Sequence, residues 1–182
     1  TGRLVMPGGV DVHAHIEQRS GMGLMNADSF ETATRSAALG GTTSVISFAA
    51  QAKGQRLAEA VADYAARAAR GAVIDHAFHL MISDPHVPDF AADLAQLVAA
   101  GHRSVKVFTT YAIRLDDAEI LRVMELARAA GALVCVHAET DAMIARARDG
   151  LVARGLTRPE HHALSHPREA EIEAVGRMIR VA

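Results

Sequence analysis

The sequence predicts an α/β fold of the (β/α)8 barrel (TIM) type, of which this chain covers about the first five strands. Two observations predict this fold. Short apolar runs rich in β-branched residues alternate with amphipathic helical patterns, and this strict alternation implies a parallel sheet. The predicted strands begin at positions 10, 43, 73, 104 and 133, with separations of 29 to 33 residues. A barrel of about 250 residues has roughly 31 residues in each strand–helix unit.

A doubly wound open sheet has the same alternation of strands and helices. Its nucleotide-binding members carry a glycine-rich turn directly after the first strand. In this chain the first strand ends instead at His13-Ala14-His15. The sequence therefore favours the barrel, and five units leave about three of its eight units unaccounted for.

Each predicted strand is a short run of residue types that favour extended structure. The five runs are Val10 to His15, Thr43 to Ala49, Val73 to Ile82, Ser104 to Thr109 and Leu133 to His137. The first helical pattern opens with Asp28 and Glu31 in capping-box spacing and stops at Gly40-Gly41. The next two helical patterns have apolar stripes that end at a glycine: Leu57, Val61, Tyr64 and Ala68 before Gly71, then Phe90, Leu94, Leu97 and Val98 before Gly101.

Three more helical patterns follow. Asp116 and Glu119 are spaced as a capping box for the fourth helix, which stops at Gly131. The apolar stripes of these last helices are Ile120, Val123 and Ala127; Met143, Ile144, Ala147 and Leu151, ending near Gly155; and Ile172, Val175 and Ile179, after Pro167.

The composition argues against nucleic-acid and membrane partners. Of the 182 residues 50% are hydrophobic and 22% charged, and the net charge is −2 with both signs interspersed. Nothing suggests binding to nucleic acid or to an anionic membrane, and no run approaches the roughly 20 apolar residues that span a bilayer. A small-molecule substrate is the better expectation. The single cysteine, Cys135, lies in an apolar run and is expected to be a buried reduced thiol in a cytoplasmic protein.

Two histidines end the first predicted strand. Because side chains alternate across a strand, His13 and His15 are expected on one face. The carboxyl ends of the strands form the active-site face of a barrel. A single buried histidine is more often a hydrogen-bonded core residue, but a His-x-His pair that closes the first strand favours metal ligands.

Lys106 lies in the fourth predicted strand between Val105 and Val107, which face the other way. A strand of a parallel sheet is buried on both sides, so an ammonium group there is costly and its pKa is expected to fall. A neutral amine can react with carbon dioxide to form a carbamate, whose two oxygens are able to bridge two cations. The alternative from this strand alone is a lysine that pairs with a nearby carboxylate.

The other histidines differ in position. His137 ends the fifth strand and is therefore a third candidate ligand. His76 and His79 fall early or in the middle of the third strand and are expected to be core or bottom-face residues. Asp84 and Pro85 end that strand, and a plain turn is favoured over a substrate loop. Loop or surface positions are expected for His86, His102, His161, His162 and His166.

Six stretches of the chain carry a family resemblance: MPGGVDVHAHIEQ, GGTTSVISFAAQ, AVIDHAFHLMISDP, SVKVFTTY, GALVCVHAET and HALSHPREAEIEAV. In this order they resemble the hydantoinase, dihydropyrimidinase and allantoinase branch of the amidohydrolase superfamily. The chain is most similar to the hydantoinases and dihydropyrimidinases, because Tyr111 follows Lys106 by five positions, as in their lysine motif. Two departures concern substrate preference. Thr140 stands where asparagine is usual, and Thr109-Thr110 replace a more common methionine-containing pair.

The resemblance implies a distorted barrel with a small β-sandwich, in which residues 1–9 lead from the sandwich into the barrel and residues 10–182 form the first part of the barrel. It implies two divalent metal ions, most often zinc. His13 and His15 would bind the more buried ion, Lys106 would bridge both ions as N6-carboxylysine, and His137 would bind the more exposed one. A histidine on strand six and an aspartate on strand eight would complete the site beyond residue 182. The resemblance also implies a homo-oligomer, a dimer or tetramer.

The activity that the resemblance implies is hydrolysis of a 5-substituted hydantoin or a dihydropyrimidine to an N-carbamoyl amino acid. Tyr111 would donate a hydrogen bond to the developing oxyanion, and Met22, Leu24 and Met25 would line the pocket or merely cover the barrel mouth. Two alternatives stay open: ring opening of allantoin or dihydroorotate, and a non-catalytic scaffold like assembly proteins of the same branch. The start Thr1-Gly2-Arg3-Leu4 resembles no natural start, and we expect a piece of a longer protein that is inactive alone.

Overall fold

A computed structural model of the chain describes residues 2–20 and 23–182. Five parallel strands form one sheet in the sequential order β1-β2-β3-β4-β5. The strands are β1 (Gly9–Ala14), β2 (Thr42–Ala50), β3 (Asp75–Met81), β4 (Ser104–Phe108) and β5 (Leu133–His137). The helices are α1 (Phe30–Leu39), α2 (Leu57–Gly71), α3 (Phe90–Ala99), α4 (Asp117–Ala130), α5 (Asp141–Ala153) and α6 (Arg168–Val181), with a 3-10 helix at Pro159–Ser165. None of these helices is both long and apolar enough to cross a membrane.

The strand order decides between the two α/β architectures. A doubly wound sheet reverses its strand order at a switch point, whereas here every strand pairs with the next strand along the chain. The alternation of strands and helices and the sequential order are those of the first five units of a (β/α)8 barrel. The predicted fold class is confirmed.

The main hydrophobic core lies between the sheet and the helices. Val45, Leu80 and Val105 of the strands share one buried cluster with Leu94 and Ile120 of the helices. These strand residues face the helix layer because alternate side chains of a strand point to opposite faces. Burial of this face holds the helices against the sheet.

The other face of the sheet carries a smaller apolar cluster of Phe48, Met81 and Phe108, all of which are buried. Each belongs to a different strand, β2, β3 or β4. This face would be the interior of a barrel. The candidate site residues lie around this cluster.

Strand β1 pairs irregularly with β2. Asp11 is opposite Val45 and Ala14 is opposite Ser47, so β1 uses one residue more than β2 between these two pairs. The extra residue falls in the Val12–His13 segment. A β-bulge of this kind re-aims the side chains of its strand.

Capping residues fix where two of the helices begin. In α4 the predicted capping box is present: Glu119 N–H donates to Asp116 Oδ1, and Asp116 N–H donates to Glu119 Oε2, each at 2.8 Å. In α1 the prediction of Asp28 with Glu31 was wrong by one residue. Ser29 is the N-cap and forms the box with Thr32. Asp28 instead accepts a hydrogen bond from the Thr32 hydroxyl at 2.8 Å. The prediction chose the wrong residue because aspartate and serine are both able to cap a helix.

Helix α6 presents a different face to its neighbours than the sequence predicted. The stripe of Ile172, Val175 and Ile179 is exposed, at 59%, 41% and 73%. The buried residues of this helix are Ala170, Ala174 and Met178. Small alanines allow close approach of backbone to backbone, and the Ala170 carbonyl accepts a hydrogen bond from Thr140 N–H at 3.0 Å. The prediction that the isoleucine stripe packs inward is therefore wrong for the described residues.

Candidate metal centre

His13 and His15 lie on the same side of the sheet, as the two-residue period predicts. Their ring centroids are 5.3 Å apart. Both rings contact Phe48 of β2, at centroid distances of 4.8 Å for His13 and 4.5 Å for His15, whose ring is stacked on the phenyl ring. Phe48 thus contacts both imidazoles.

Hydrogen bonds determine which nitrogen of His15 is free. Its Nδ1 lies 2.8 Å from Gln18 Oε1. An amide oxygen only accepts, so Nδ1 carries the proton and the lone pair of Nε2 remains available. Asn26 Nδ2 donates to the His15 carbonyl at 2.8 Å, which fixes the backbone on the other side.

Lys106 projects from the middle of β4 and is only 7% exposed. Its Nζ lies 6.0 Å from the ring centroid of Phe48 and 5.3 Å from that of Phe108. Burial lowers the pKa of Lys106, and Cys135, its partner in the pairing of β4 with β5, opposes this shift. No carboxylate within residues 2–20 and 23–182 forms an ion pair with this lysine, so the pairing alternative finds no partner there.

His13 and Lys106 are electrostatically close. Burial lowers the pKa of His13, and the positive charge of Lys106 lowers it further, followed by His15 and His79. A neutral imidazole with a free lone pair is the form that binds a cation. The surroundings of His13 therefore favour its ligand form.

His137 ends β5, and its ring stacks on Phe108 at a centroid distance of 5.5 Å. Its Nε2 lies 2.7 Å from Glu139 Oε2. Because a carboxylate only accepts, Nε2 carries the proton and Nδ1 presents the free lone pair. Glu139 is itself held by Thr109, whose hydroxyl accepts a hydrogen bond from Glu139 N–H at 2.8 Å. His137 therefore offers the opposite nitrogen from His15.

Tyr111 lies beside His137 in the loop after β4, with ring centroids 5.1 Å apart. It adopts a positive φ of 71°, which is rare for a residue with a side chain. Burial raises the pKa of Tyr111, and the negative charge of Glu139 raises it further. The phenol therefore keeps its proton near neutral pH. Asp141 ties this loop to α5 by accepting a hydrogen bond from the Thr110 hydroxyl at 2.9 Å.

A cleft of about 580 Å3 opens beside these residues, lined among others by Gln18, Met25, Met81, Tyr111 and Ile113. Of the residues predicted to line a pocket, Met25 lines this cleft. Leu24 lines a smaller adjoining cavity with Met25. Met22 lies outside the described residues.

The predicted site residues form two groups within one face of the sheet. His13, His15 and Lys106 surround Phe48, whereas His137 and Tyr111 contact Phe108; the two phenylalanines belong to the same apolar cluster. In the described parts of the chain, no group of three or more His, Cys, Asp or Glu side chains is placed to hold a metal ion.

Comparison with known proteins places the chain in a family. The model of the amidohydrolase family matches residues 4–174. The chain belongs to the amidohydrolase family. Metal dependence is general in this family.

Among the relatives of this amidohydrolase chain, a D-hydantoinase of Ralstonia pickettii is 41% identical over 183 residues, which are 100% of the chain and 40% of that protein. A D-phenylhydantoinase of Escherichia coli (strain K12 / DH10B) is 42% identical over 184 residues, which are 100% of the chain and 39% of that protein. A D-hydantoinase structure superposes with a TM-score of 0.91 at 40% identity, covering 96% of this chain and 38% of the other. A dihydropyrimidinase from Brevibacillus agri NCHU1002 gives 0.90 at 39% identity, with the same coverage. The chain thus spans about two fifths of the length of these relatives.

His76 and His86 of this amidohydrolase chain fall outside the candidate centre. His76 is exposed at the start of β3, and His86 pairs with Glu119 at 3.1 Å. Asp84 accepts hydrogen bonds from the backbone N–H groups of Gly54 and His86, each at 3.0 Å, as a turn residue does.

Sequence reasoning did not single out Gln18, Glu139 or Phe48 as parts of the site. Each contacts a candidate ligand. The spacing His137-x-Glu139 at a strand end was a usable signal for Glu139. The contacts of Phe48 depend on strand pairing and had no local signal.

Proposed function

We propose that the protein carrying this chain is a metal-dependent cyclic amidohydrolase that opens a 5-substituted hydantoin or a dihydropyrimidine to an N-carbamoyl amino acid. The observation that carries the proposal is Lys106, which is buried and has no carboxylate partner in the described residues. Its Nζ lies 6.0 Å from the ring centroid of Phe48, which His13 and His15 contact, and 5.3 Å from that of Phe108, which His137 contacts. The likeness to D-hydantoinases and to a dihydropyrimidinase supports the substrate class.

Two divalent metal ions, zinc in the first instance, are part of this proposal. His13 and His15 would hold one ion, His137 the other, and Lys106 would bridge them as N6-carboxylysine. The donor set fits such ions, because the hydrogen bonds leave Nε2 of His15 and Nδ1 of His137 free and imidazole nitrogen suits zinc. When bound, the ions would supply Lewis acidity toward the scissile carbonyl and toward water.

The surroundings of Lys106 support its carboxylation. The neutral amine forms a bond from Nζ to the carbon of carbon dioxide, one C–O π bond becomes a carboxylate, and the amine proton leaves to a solvent base. Burial disfavours the ammonium form and so increases the share of reactive amine. The resulting carbamate of Lys106 is an anion that is able to bind metal. It replaces a buried ammonium group that has no carboxylate partner in the described residues.

The protein's own groups would bind and orient the substrate. Tyr111 keeps its phenolic proton and would donate a hydrogen bond to the oxyanion that develops on the attacked carbonyl. Donors of this kind contribute about 2.7–4 kcal/mol in acyl transfer. The apolar side chains of Met25 and Ile113 line the cleft and would receive the exocyclic substituent of the ring.

The proposal also covers the cellular location, the oligomeric state and the domain that residues 1–9 would join. A cytoplasmic location is supported by the lone Cys135, and the homodimer or homotetramer and the β-sandwich that residues 1–9 would join are supported by the family resemblance. Retention of all four candidate ligands argues against a non-catalytic scaffold. Apolar lining of the cleft by Met25 and Ile113 favours hydantoins over the more polar allantoin and dihydroorotate.

The test is a substrate panel on the metal-loaded protein that carries this chain: a 5-substituted hydantoin, dihydrouracil, allantoin and dihydroorotate. Turnover of the first two, with stoichiometric metal, is the expected result. Lys106→Ala should abolish turnover and recover part of it with added acetate or propionate, whereas the exposed Lys53→Ala should be unaffected. Turnover of only the last two substrates, or full activity of Lys106→Ala, would contradict the proposal.

A further inference from the structure

His79 connects three strands from the middle of β3. Its Nε2 lies 2.8 Å from the carbonyl oxygen of Val12 in β1, and its Nδ1 lies 2.6 Å from the hydroxyl of Ser104 in β4. A carbonyl oxygen only accepts, so Nε2 carries the proton and Nδ1 accepts from the serine hydroxyl. Both ring nitrogens are satisfied by one tautomer, and the ring is held in one orientation.

The partner of this ring is a particular peptide unit, the one between Val12 and His13. Its carbonyl accepts from His79, and its N–H donates to Asp11 Oδ1 at 2.9 Å. Two side chains therefore hold both polar groups of the peptide that precedes the first candidate ligand. This peptide lies in the bulge, where the regular pairing of β1 with β2 is interrupted.

Phe48 contacts both His79 and His13. The ring centroid of His79 lies 5.0 Å from that of Phe48, and the centroid of His13 lies 4.8 Å from the same ring. His79 is partly buried. The sequence predicted a core or bottom-face residue, and the structure gives this residue a specific partner.

We propose that His79 is a positioning residue of the metal centre, which sets the direction of the His13 and His15 imidazoles by fixing the Val12–His13 peptide in the bulge. The inference rests on the proposed function, because it takes His13 and His15 as ligands. In a regular strand, backbone hydrogen bonds to the neighbouring strand would orient this peptide. In the bulge, His79 and Asp11 orient it instead. Loss of the contact lets the peptide rotate and the two imidazoles diverge.

Two amide variants separate this role from a merely structural one. His79→Gln places its amide nitrogen near the position of Nε2 and keeps the donor to Val12, whereas His79→Asn places its amide near Nδ1 and keeps only the contact with Ser104. Affinity for Zn2+ is measured by calorimetric titration of the metal-free protein that carries this chain, and stability by urea unfolding. We expect His79→Asn to weaken Zn2+ binding by about tenfold or more, as for outer-shell groups of metal sites, and His79→Gln to retain most of the affinity. The urea midpoints of the two variants should agree.

Equal Zn2+ affinities of the two variants would overturn the inference, as would an affinity loss that follows the urea midpoint. Asp11→Ala, which frees the other polar group of the same peptide, should also weaken binding, and an unchanged affinity there would count against the inference. The nitrogen shifts of the His79 ring in the parent chain give a measurement that needs no variant. Protonated Nε2 with bare Nδ1 is expected, and the opposite tautomer would overturn the inference.

The same spectra distinguish failure of the proposed metal function from failure of the proposed role of His79. Zn2+ should shift the ring resonances of His13 and His15 in the parent chain. If both stay unmoved, the proposed metal function fails. If they move but His79→Asn and His79→Gln bind Zn2+ alike, only the role of His79 fails.

Discussion

Replacing Lys106 by methionine should stabilise the metal-free chain while removing the group on which the proposed site depends. Lys106 is 7% exposed and has no ion-pair partner in the part of the chain that the structure describes. A buried polar group without a hydrogen bond costs about 1–3 kcal/mol in proteins. Its amine lies 5.3 Å from the centroid of Phe108, and a cation–π contact returns about 0.5–1 kcal/mol. Methionine fills a similar volume, so the free energy of unfolding should rise by about 1 kcal/mol, near the middle of the net range of about 0–2.5 kcal/mol that these two terms leave.

The pH dependence of this gain follows from the direction of the pKa shift. Burial lowers the pKa of Lys106 from its ordinary value of 10.5, so the unfolded chain binds this proton more tightly than the folded chain. The lysine therefore destabilises fully below its folded-state pKa, and the effect disappears as the pH rises toward 10.5. The advantage of Lys106→Met should shrink over the same interval.

The assay is urea unfolding followed by circular dichroism, in buffer that contains a chelator and is depleted of carbon dioxide. The matched control is Lys53→Met, since Lys53 is exposed and a surface change should stay within about 0.5 kcal/mol. A lower urea midpoint for Lys106→Met, or equal shifts for both lysines, would refute the reasoning.

Three further predictions use other residues. Ser47 is fully buried, and its hydroxyl has no hydrogen-bond partner among the described residues. Ser47→Ala should therefore raise the free energy of unfolding by about 1 kcal/mol. A fall in the urea midpoint would contradict this prediction. Hydrogen bonds from Arg56 lower the pKa of Asp93 from its ordinary 3.8, so this stabilisation is complete above that pH and is lost as the pH falls through the folded-state value. Asp93→Asn should remove that acid-side slope and cost about 1–3 kcal/mol near neutral pH, and an unchanged slope in acid titration of stability would count against it. Tyr111→Phe should leave stability unchanged and, in the metal-loaded protein, lower kcat on hydantoins by about 10²–10³-fold; parental kcat would exclude the phenol as a donor.

The strands and most helix ends could be predicted from the sequence because periodicity, glycines and capping residues are local signals. The Asp116–Glu119 box is an example. Two predictions failed for physical reasons. Asp28 and Ser29 are both good caps, and only the backbone decides between them; the isoleucines of α6 suggested a buried stripe, but Ala170 and Ala174 face the neighbouring elements.

The candidate site also contains residues that the sequence could predict and contacts that it could not. His13 and His15 were predictable from spacing within one strand. The contact of His79 with Val12 joins residues 67 positions apart, and it depends on the bulge and on strand pairing. No local pattern encodes either one, so such partners become visible only when the strands are placed side by side.

Phe48 makes the site a coupled unit. Its ring contacts His13, His15 and His79, and lies within 6.0 Å of the Lys106 amine. A substitution at position 48 would therefore disturb three imidazoles and one amine at once. Phe48 belongs to β2, whereas the groups near its ring belong to β1 and the residue that follows it, to β3 and to β4, so one change on β2 would act on three other strands.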